Sequence, residues 1–88
     1  MVMWDIEFTK RAVKDVGLIK QANLKDNATQ LLEVLRDNPF QNPPPYEKLV
    51  GDLEGAYSRR INIKHRLVYS VDKQRHCVRI LRLWTHYD

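Results

Sequence analysis

Positions 2–8 alternate in part between apolar and polar side chains, with Trp4, Ile6 and Phe8 on one parity, and this pattern predicts a half-buried strand. Thr9 is then a plausible N-cap for a first helix. The predicted apolar face of that helix consists of Ala12, Val13, Val16 and Ile19 or Lys20. Its predicted far face carries Lys10, Arg11, Lys14 and Asp15.

A second helix is predicted around Lys25–Asp37, and Asn38-Pro39 should end it because the residue before a proline is pushed out of helical geometry. Its apolar stripe consists of Ala28, Leu31, Leu32 and Leu35. The next segment, Phe40–Tyr46, is a predicted loop. Pro43–Pro45 make it stiff, so it can hold the residues that follow it in a fixed place.

From Gly55 onward the pattern indicates strands at 56–62, 64–71 and 76–84, the last two joined by the polar turn Asp72–Arg75. The element order predicts one α+β domain spanning residues 1–88: an N-terminal strand, a helical hairpin and a three-stranded antiparallel meander. We expect a twisted antiparallel sheet with both helices on one face and the other face free.

The net charge of +4 lies entirely in residues 51–88, because acidic and basic residues balance in residues 1–50. A positive field confined to one segment favours a polyanionic partner such as nucleic acid, and a solvated basic face is the alternative. Cys77, the only cysteine, is expected to be a small buried residue, which fits a reducing cytoplasm. Neither a secretory signal nor a run of about 18 apolar residues is visible, so we expect no membrane association.

Two strand segments carry candidate phosphate-binding arginines. Arg59 and Arg60 are neighbours in a predicted strand, so they should point to opposite faces, with one on the open face or at its edge. Arg66 interrupts a mostly apolar, central strand. Its guanidinium either reaches solvent, pairs with Asp52 or Glu54, or binds a phosphate through a bidentate contact.

Two further positions suggest proton transfer. Glu47 and Lys48 follow the stiff loop, and His86 ends the last predicted strand. With Arg60 and Arg66, these residues supply the parts for RNA cleavage by internal transfer: Glu47 as base for the ribose 2′-OH, His86 as acid, and the arginines as charge stabilisers. No metal or cofactor is expected, because no metal-ligand spacing, phosphate-binding glycine loop or nucleophile signature is visible.

Several motifs resemble the YoeB (Txe) branch of the RelE-like toxins. They are Pro39-Phe40, YEKL at 46–49, GAYSRRI at 55–61, HRLVY at 65–69 and the His86-Tyr87 end. The resemblance is densest over residues 39–71, and with the element order it covers essentially the whole chain.

This resemblance implies the RelE-like microbial RNase fold and a toxin of a type II toxin–antitoxin system. Such toxins cut mRNA on the translating ribosome and so inhibit translation. The implied catalytic set is Glu47, Arg60, Arg66, His86 and Tyr87, and the candidate RNA contacts are Lys48, Arg59, Arg60 and Arg66. The implied partners are a YefM/Phd-like antitoxin, the ribosome with its mRNA, and a second copy of the chain.

The chain departs from the family pattern at two positions. Val50 stands where YoeB-like sequences can carry a lysine, and Asp88 extends the usual His-Tyr end, where added carboxylates would favour the acid form of His86 or repel RNA. Two other functions stay open: a ParE-like toxin that binds DNA gyrase, or a degenerate toxin that only binds RNA or protein. A pure binding module has no need of the Glu47, Arg66 and His86 set.

Overall fold

A computed structural model describes residues 3–51 and 55–86, with residues 84–86 described by their backbone only. The elements in chain order are β1 (Asp5–Phe8), α1 (Lys10–Gln21), α2 (Lys25–Asp37), β2 (Glu47–Lys48), β3 (Ala56–Arg60), β4 (His65–Asp72) and β5 (Cys77–His86). The predicted order of strand, two helices and three strands is confirmed. The short strand β2 is an addition that the sequence pattern did not predict.

The strands form one five-stranded sheet in the order β1-β5-β4-β3-β2. The predicted antiparallel meander of β3, β4 and β5 is confirmed. The expectation of an antiparallel sheet throughout is wrong, because β1 pairs parallel to β5. The helices separate β1 from the rest of the sheet along the chain, so no hairpin constrains the direction of this edge strand.

Thr9 connects the start of α1 to the sheet. Its hydroxyl accepts a hydrogen bond from the Ala12 N–H (3.1 Å), which confirms the predicted N-cap, and donates to the Leu81 carbonyl in β5 (3.0 Å). Residues 22–24 join the two helices, with Asn23 in left-handed geometry (φ 60°), which asparagine tolerates better than most residues. The second helix has the predicted bounds.

The core lies between the helices and one face of the sheet. Both helices contribute to it, with Ala12 and Ile19 from α1 and three residues of the predicted α2 stripe, Ala28, Leu31 and Leu35. The sheet contributes Leu67, Tyr69, Val78, Ile80 and Leu83, and Ile61 joins the core from the position just after β3. In α1 the prediction is wrong at two positions: Val13 is 59% exposed, and Asp15 is buried rather than on the far face.

Asp15 is buried because it has partners in β5. Its Oδ2 accepts from the Arg82 Nε (2.8 Å) and from the Leu83 N–H (3.0 Å). The pairing of β4 with β5 shifts register on both sides of the Val68–Arg82 pair. The carboxylate therefore satisfies a buried backbone donor in the irregular part of β5 and stabilises the path of that strand.

Replacing Asp15 with asparagine is expected to lower the free energy of unfolding by about 2–3 kcal/mol, because a charge-assisted bond to a buried donor and a partly buried ion pair are both lost. Urea unfolding of the two proteins measures this difference. Glu33→Gln on the exposed face of α2 is the matched control, with an expected change within about 0.5 kcal/mol. Equal losses in the two variants would show that the Asp15 contacts contribute little.

Cys77 is buried in β5, as predicted. Its thiol donates to a carboxylate oxygen of Glu7 in β1 (2.8 Å). Burial, reinforced by that carboxylate, raises the pKa of Cys77 to about 11, so the thiol is neutral at physiological pH. No helix in the described part of the chain is long and apolar enough to cross a membrane.

Candidate functional site

The strand register brings four polar side chains to one end of the sheet. Arg60 in β3 lies directly opposite Arg66 in β4, and Glu47 in β2 lies directly opposite Ser58 in β3. Residues directly opposite each other on neighbouring strands share a face, as do residues two apart in one strand. Glu47, Ser58, Arg60 and Arg66 therefore lie on the same face of the sheet.

This face is the one opposite the helices at β4. Leu67 and Tyr69 belong to the core under the helices, so Arg66 and Val68, which alternate with them, point to the other side. The prediction that Arg59 and Arg60 point to opposite faces is also confirmed: Arg59 is 1% exposed, whereas Arg60 is exposed.

Arg66 pairs with Glu47 across β3. Its Nη1 donates to a Glu47 carboxylate oxygen and to the Ser58 hydroxyl, both at 3.2 Å. The Arg66 side chain is 7% exposed, whereas that of Glu47 is 59% exposed. One end of the ion pair is therefore open to water and to a ligand, which limits its contribution to stability. The alternative partners Asp52 and Glu54 lie outside the described residues.

These side chains line a small cleft of about 100 Å³, which is bounded by Pro44, Pro45, Glu47, Ser58, Arg60 and Arg66. Two prolines of the connection between α2 and β2 form part of its wall. The polar lining consists of one carboxylate, one hydroxyl and two guanidinium groups. Such a set can accept a proton through the carboxylate and stabilise the negative charge of a phosphate through the arginines.

Two of the predicted RNA contacts lie elsewhere. The prediction for Arg59 is wrong, because its guanidinium is buried and donates to the carbonyl oxygens of Pro39 (3.0 Å) and Gln41 (2.8 Å). Lys48 is exposed but follows Glu47 in β2, opposite Tyr57, so it points to the other face and lies outside the cleft. A contact between Lys48 and RNA stays a prediction.

The end of β5 runs beside the cleft. Its backbone pairs with β4 as far as His86, with Thr85 opposite Arg66 and His86 opposite His65. The His86 side chain and all of Tyr87 and Asp88 lie outside the described residues. Their predicted roles, including the effect of Asp88, therefore stay predictions.

Ser58 is the contributor to the cleft that sequence reasoning missed. It is 2% exposed and accepts a hydrogen bond from Arg66. Its position two residues before Arg60 in the same strand was the available signal, because it places both side chains on one face. Among residues 3–51 and 55–83, whose side chains are described, no group of three or more His, Cys, Asp or Glu residues could hold a metal ion.

Fold and site together define a small α+β protein that carries a carboxylate and two arginines in a cleft on the sheet. Residues 8–87 match the family described as "YoeB-like toxin of bacterial type II toxin-antitoxin system". Because this match covers most of the chain, the protein belongs to the YoeB-like toxins.

Individual relatives support the same assignment. Toxin YoeB of Synechocystis sp. is 39% identical over 57 residues, an alignment that covers 65% of this chain and 59% of that toxin, less than two thirds of its length. Among solved structures, the YoeB–YefM complex from Staphylococcus aureus contains a chain that is 34% identical, with a TM-score of 0.78 over 96% of this chain and 98% of that one. A YoeB/ParE toxin from Agrobacterium tumefaciens has 26% identity and a TM-score of 0.83 over 94% of this chain and 99% of that one.

Proposed function

We propose that this protein is the toxin of a type II toxin–antitoxin system and acts as an endoribonuclease that cuts mRNA on the ribosome and so inhibits translation. The observation that carries the proposal is the convergence of Glu47, Arg60 and Arg66 on one cleft. Membership of the YoeB-like family supports the same function.

In the proposed reaction, the Glu47 carboxylate accepts the proton of a ribose 2′-OH while the 2′ oxygen attacks the adjacent phosphorus. The bond between phosphorus and the 5′ oxygen breaks, and the leaving oxygen takes a proton from His86. The products are a 2′,3′-cyclic phosphate and a free 5′-OH. Each proton transfer by a positioned side chain contributes typically about 10²–10⁴ in rate.

Arg60 and Arg66 stabilise the negative charge that grows on the phosphoryl oxygens. Arg66 already has a rigid position, since its Nη1 donates to Glu47 and Ser58. Entry of the phosphate weakens the bond between Arg66 and Glu47, and this frees the carboxylate to accept the 2′-OH proton. Tyr87 is proposed to support the leaving-group side of the site. The proposed reaction uses side chains alone, without a metal.

The proposed partners are the ribosome, an antitoxin and a second copy of the toxin. Because the site has so few catalytic groups, its reaction would be faster on a ribosome that positions the 2′-OH for in-line attack. The YoeB of Staphylococcus aureus has been solved in complex with YefM and as a dimer. By analogy, we propose a YefM-like antitoxin for this chain and expect growth arrest when it is expressed without one.

Mapping of cut ends tests the proposed activity. A defined mRNA is incubated with the purified toxin, with and without ribosomes, and the 5′ and 3′ ends of the products are identified. We expect cuts that depend on ribosomes and end in a 2′,3′-cyclic phosphate, and we expect His86→Gln to lose at least about 100-fold in rate.

Equal products at equal rates from the wild type and His86→Gln would refute the role of His86. Growth arrest without RNA cleavage would favour the gyrase-binding alternative, and gyrase supercoiling assays with the same preparation would then decide between them. An absence of both effects at high expression would leave only the non-catalytic binding function.

A further inference from the structure

The residues between α2 and β2 are held to the sheet by one buried arginine. We call residues 39–46 the proline loop. The Arg59 guanidinium in β3 donates to three carbonyl oxygens of this loop: Pro39 (3.0 Å) and Gln41 (2.8 Å) through Nη2, and Pro44 through Nη1. A single side chain therefore contacts the loop near its start and near its end.

Tyrosines complete the environment of this guanidinium. The Arg59 Nε donates to the Tyr69 hydroxyl (3.1 Å), which in turn donates to the Pro39 carbonyl (2.9 Å). Burial raises the pKa of Tyr69, so its hydroxyl stays protonated and available as a donor. The guanidinium carbon also lies 4.9 Å from the ring centroid of Tyr46, at the end of the proline loop, and 5.9 Å from that of Tyr69.

The chemistry of the proline loop explains why it needs an external donor. Proline has no backbone N–H, so residues 43–45 offer carbonyl acceptors but cannot donate to a strand ladder. Arg59 has several N–H donors in one rigid plane, which suits carbonyls that converge from one side. It is 1% exposed, so removal of its head would leave these carbonyls unsatisfied or exposed to entering water.

The proline loop leads directly into the cleft. Pro44 and Pro45 line the cleft, and Glu47 follows Tyr46 immediately. Arg59 and Glu47 lie on opposite faces of the sheet, since Glu47 is opposite Ser58 and Arg59 is the next residue in β3. The contacts of Arg59 on one face therefore lie just before the point where the chain places Glu47 on the other face.

We propose that Arg59 is a positioning residue, which fixes the proline loop so that the Glu47 carboxylate faces Arg66 across the cleft. This inference rests on the proposed function, in which Glu47 is the base. Arg59 does not contact RNA in this scheme. Its effect on the reaction passes through the loop and Glu47.

Arg59→Lys tests the first half of the inference, because lysine keeps the charge but cannot donate to three carbonyls in one plane. We expect faster amide hydrogen exchange at Phe40, Gln41 and Glu47–Leu49, with α1 and α2 unchanged. Arg36→Lys on the exposed surface of α2 is the matched control and should exchange like the wild type. Unchanged exchange in the segment 40–49 of Arg59→Lys would overturn the inference.

A double-mutant cycle on single-turnover RNA cleavage tests the second half. Arg59→Lys should lower the rate about 10- to 100-fold when Glu47 is present, since small displacements of a reacting group have effects of this size. In a Glu47→Gln background the same substitution should change the rate by less than about twofold. Equal losses in both backgrounds would mean general damage to the fold and would overturn the positioning role.

Failure of the proposed function itself has a different signature. If wild type and Glu47→Gln cleave at the same rate, Glu47 is not the base and the positioning role falls with it. The exchange measurement then still decides whether Arg59 holds the proline loop, because it does not depend on cleavage.

Discussion

Replacing Glu47 with glutamine is expected to lower the single-turnover rate of RNA cleavage by about 10²–10⁴-fold, the usual contribution of a positioned acid–base group. Glutamine keeps the size of the side chain and an oxygen that can accept from Arg66, but it cannot take the 2′-OH proton. The melting temperature should stay within a few degrees, because the Glu47 side chain is 59% exposed and its ion pair is partly screened by water.

The measurement is cleavage of a defined mRNA on saturating ribosomes, together with thermal unfolding of each variant. Glu33→Gln, an exposed substitution on α2, is the matched control and should cleave at the wild-type rate. A rate for Glu47→Gln within about threefold of that control would exclude the base role, since a positioned base contributes far more than this.

Replacing Arg66 with glutamine is expected to lower the cleavage rate by about 10²–10³-fold, the loss typical of removing one preorganised donor from a developing oxyanion. The Arg66 head is nearly buried, and its bond to the Ser58 hydroxyl keeps it in place when the phosphate weakens its bond to Glu47. Arg66→Lys should recover only part of the rate, because an ammonium group cannot form the same bidentate hydrogen bonds to the phosphate.

The same experiment separates a role in the reaction from a role in RNA attachment. Binding of an RNA with a 2′-deoxy substitution at the cut site is measured alongside the rate, and Arg66→Gln should weaken binding much less than it slows cleavage. Arg36→Gln removes one positive charge from the surface of α2 and is the control for long-range electrostatics. Unfolding of Arg66→Gln at assay temperature would instead assign Arg66 to the stability of the sheet.

The sequence predicted a helix or strand correctly where the apolar pattern and the capping residues lay within that segment itself. The apolar spacing and Asn38-Pro39 defined α2 at both ends, and Thr9 capped α1 as expected. Strand β2 was missed because two polar residues show no alternation, and they form a strand only through their pairing with Tyr57 and Ser58. An edge strand of this kind depends on its neighbour more than on its own sequence.

Long-range partners account for the side chains that sequence reasoning misplaced. Asp15 looked like a surface residue of α1, but its partners Arg82 and Leu83 lie far along the chain in β5. Arg59 and Arg60 are chemically identical neighbours, and alternation predicts only that they diverge. The tertiary structure places Arg59 opposite the core residue Leu67, where its guanidinium donates to carbonyls of the proline loop, and leaves Arg60 exposed at the cleft.

The amino-acid order alone was enough for the element types, for a basic second half and for the family resemblance carried by the motifs between residues 39 and 69. Only the folded chain decided which arginine is buried, which carboxylate faces Arg66 and in which direction β1 runs. The physical reason is that a periodic pattern of apolar residues carries information only about residues a few positions apart. Strand register and buried charge depend instead on partners that folding brings together from distant parts of the chain.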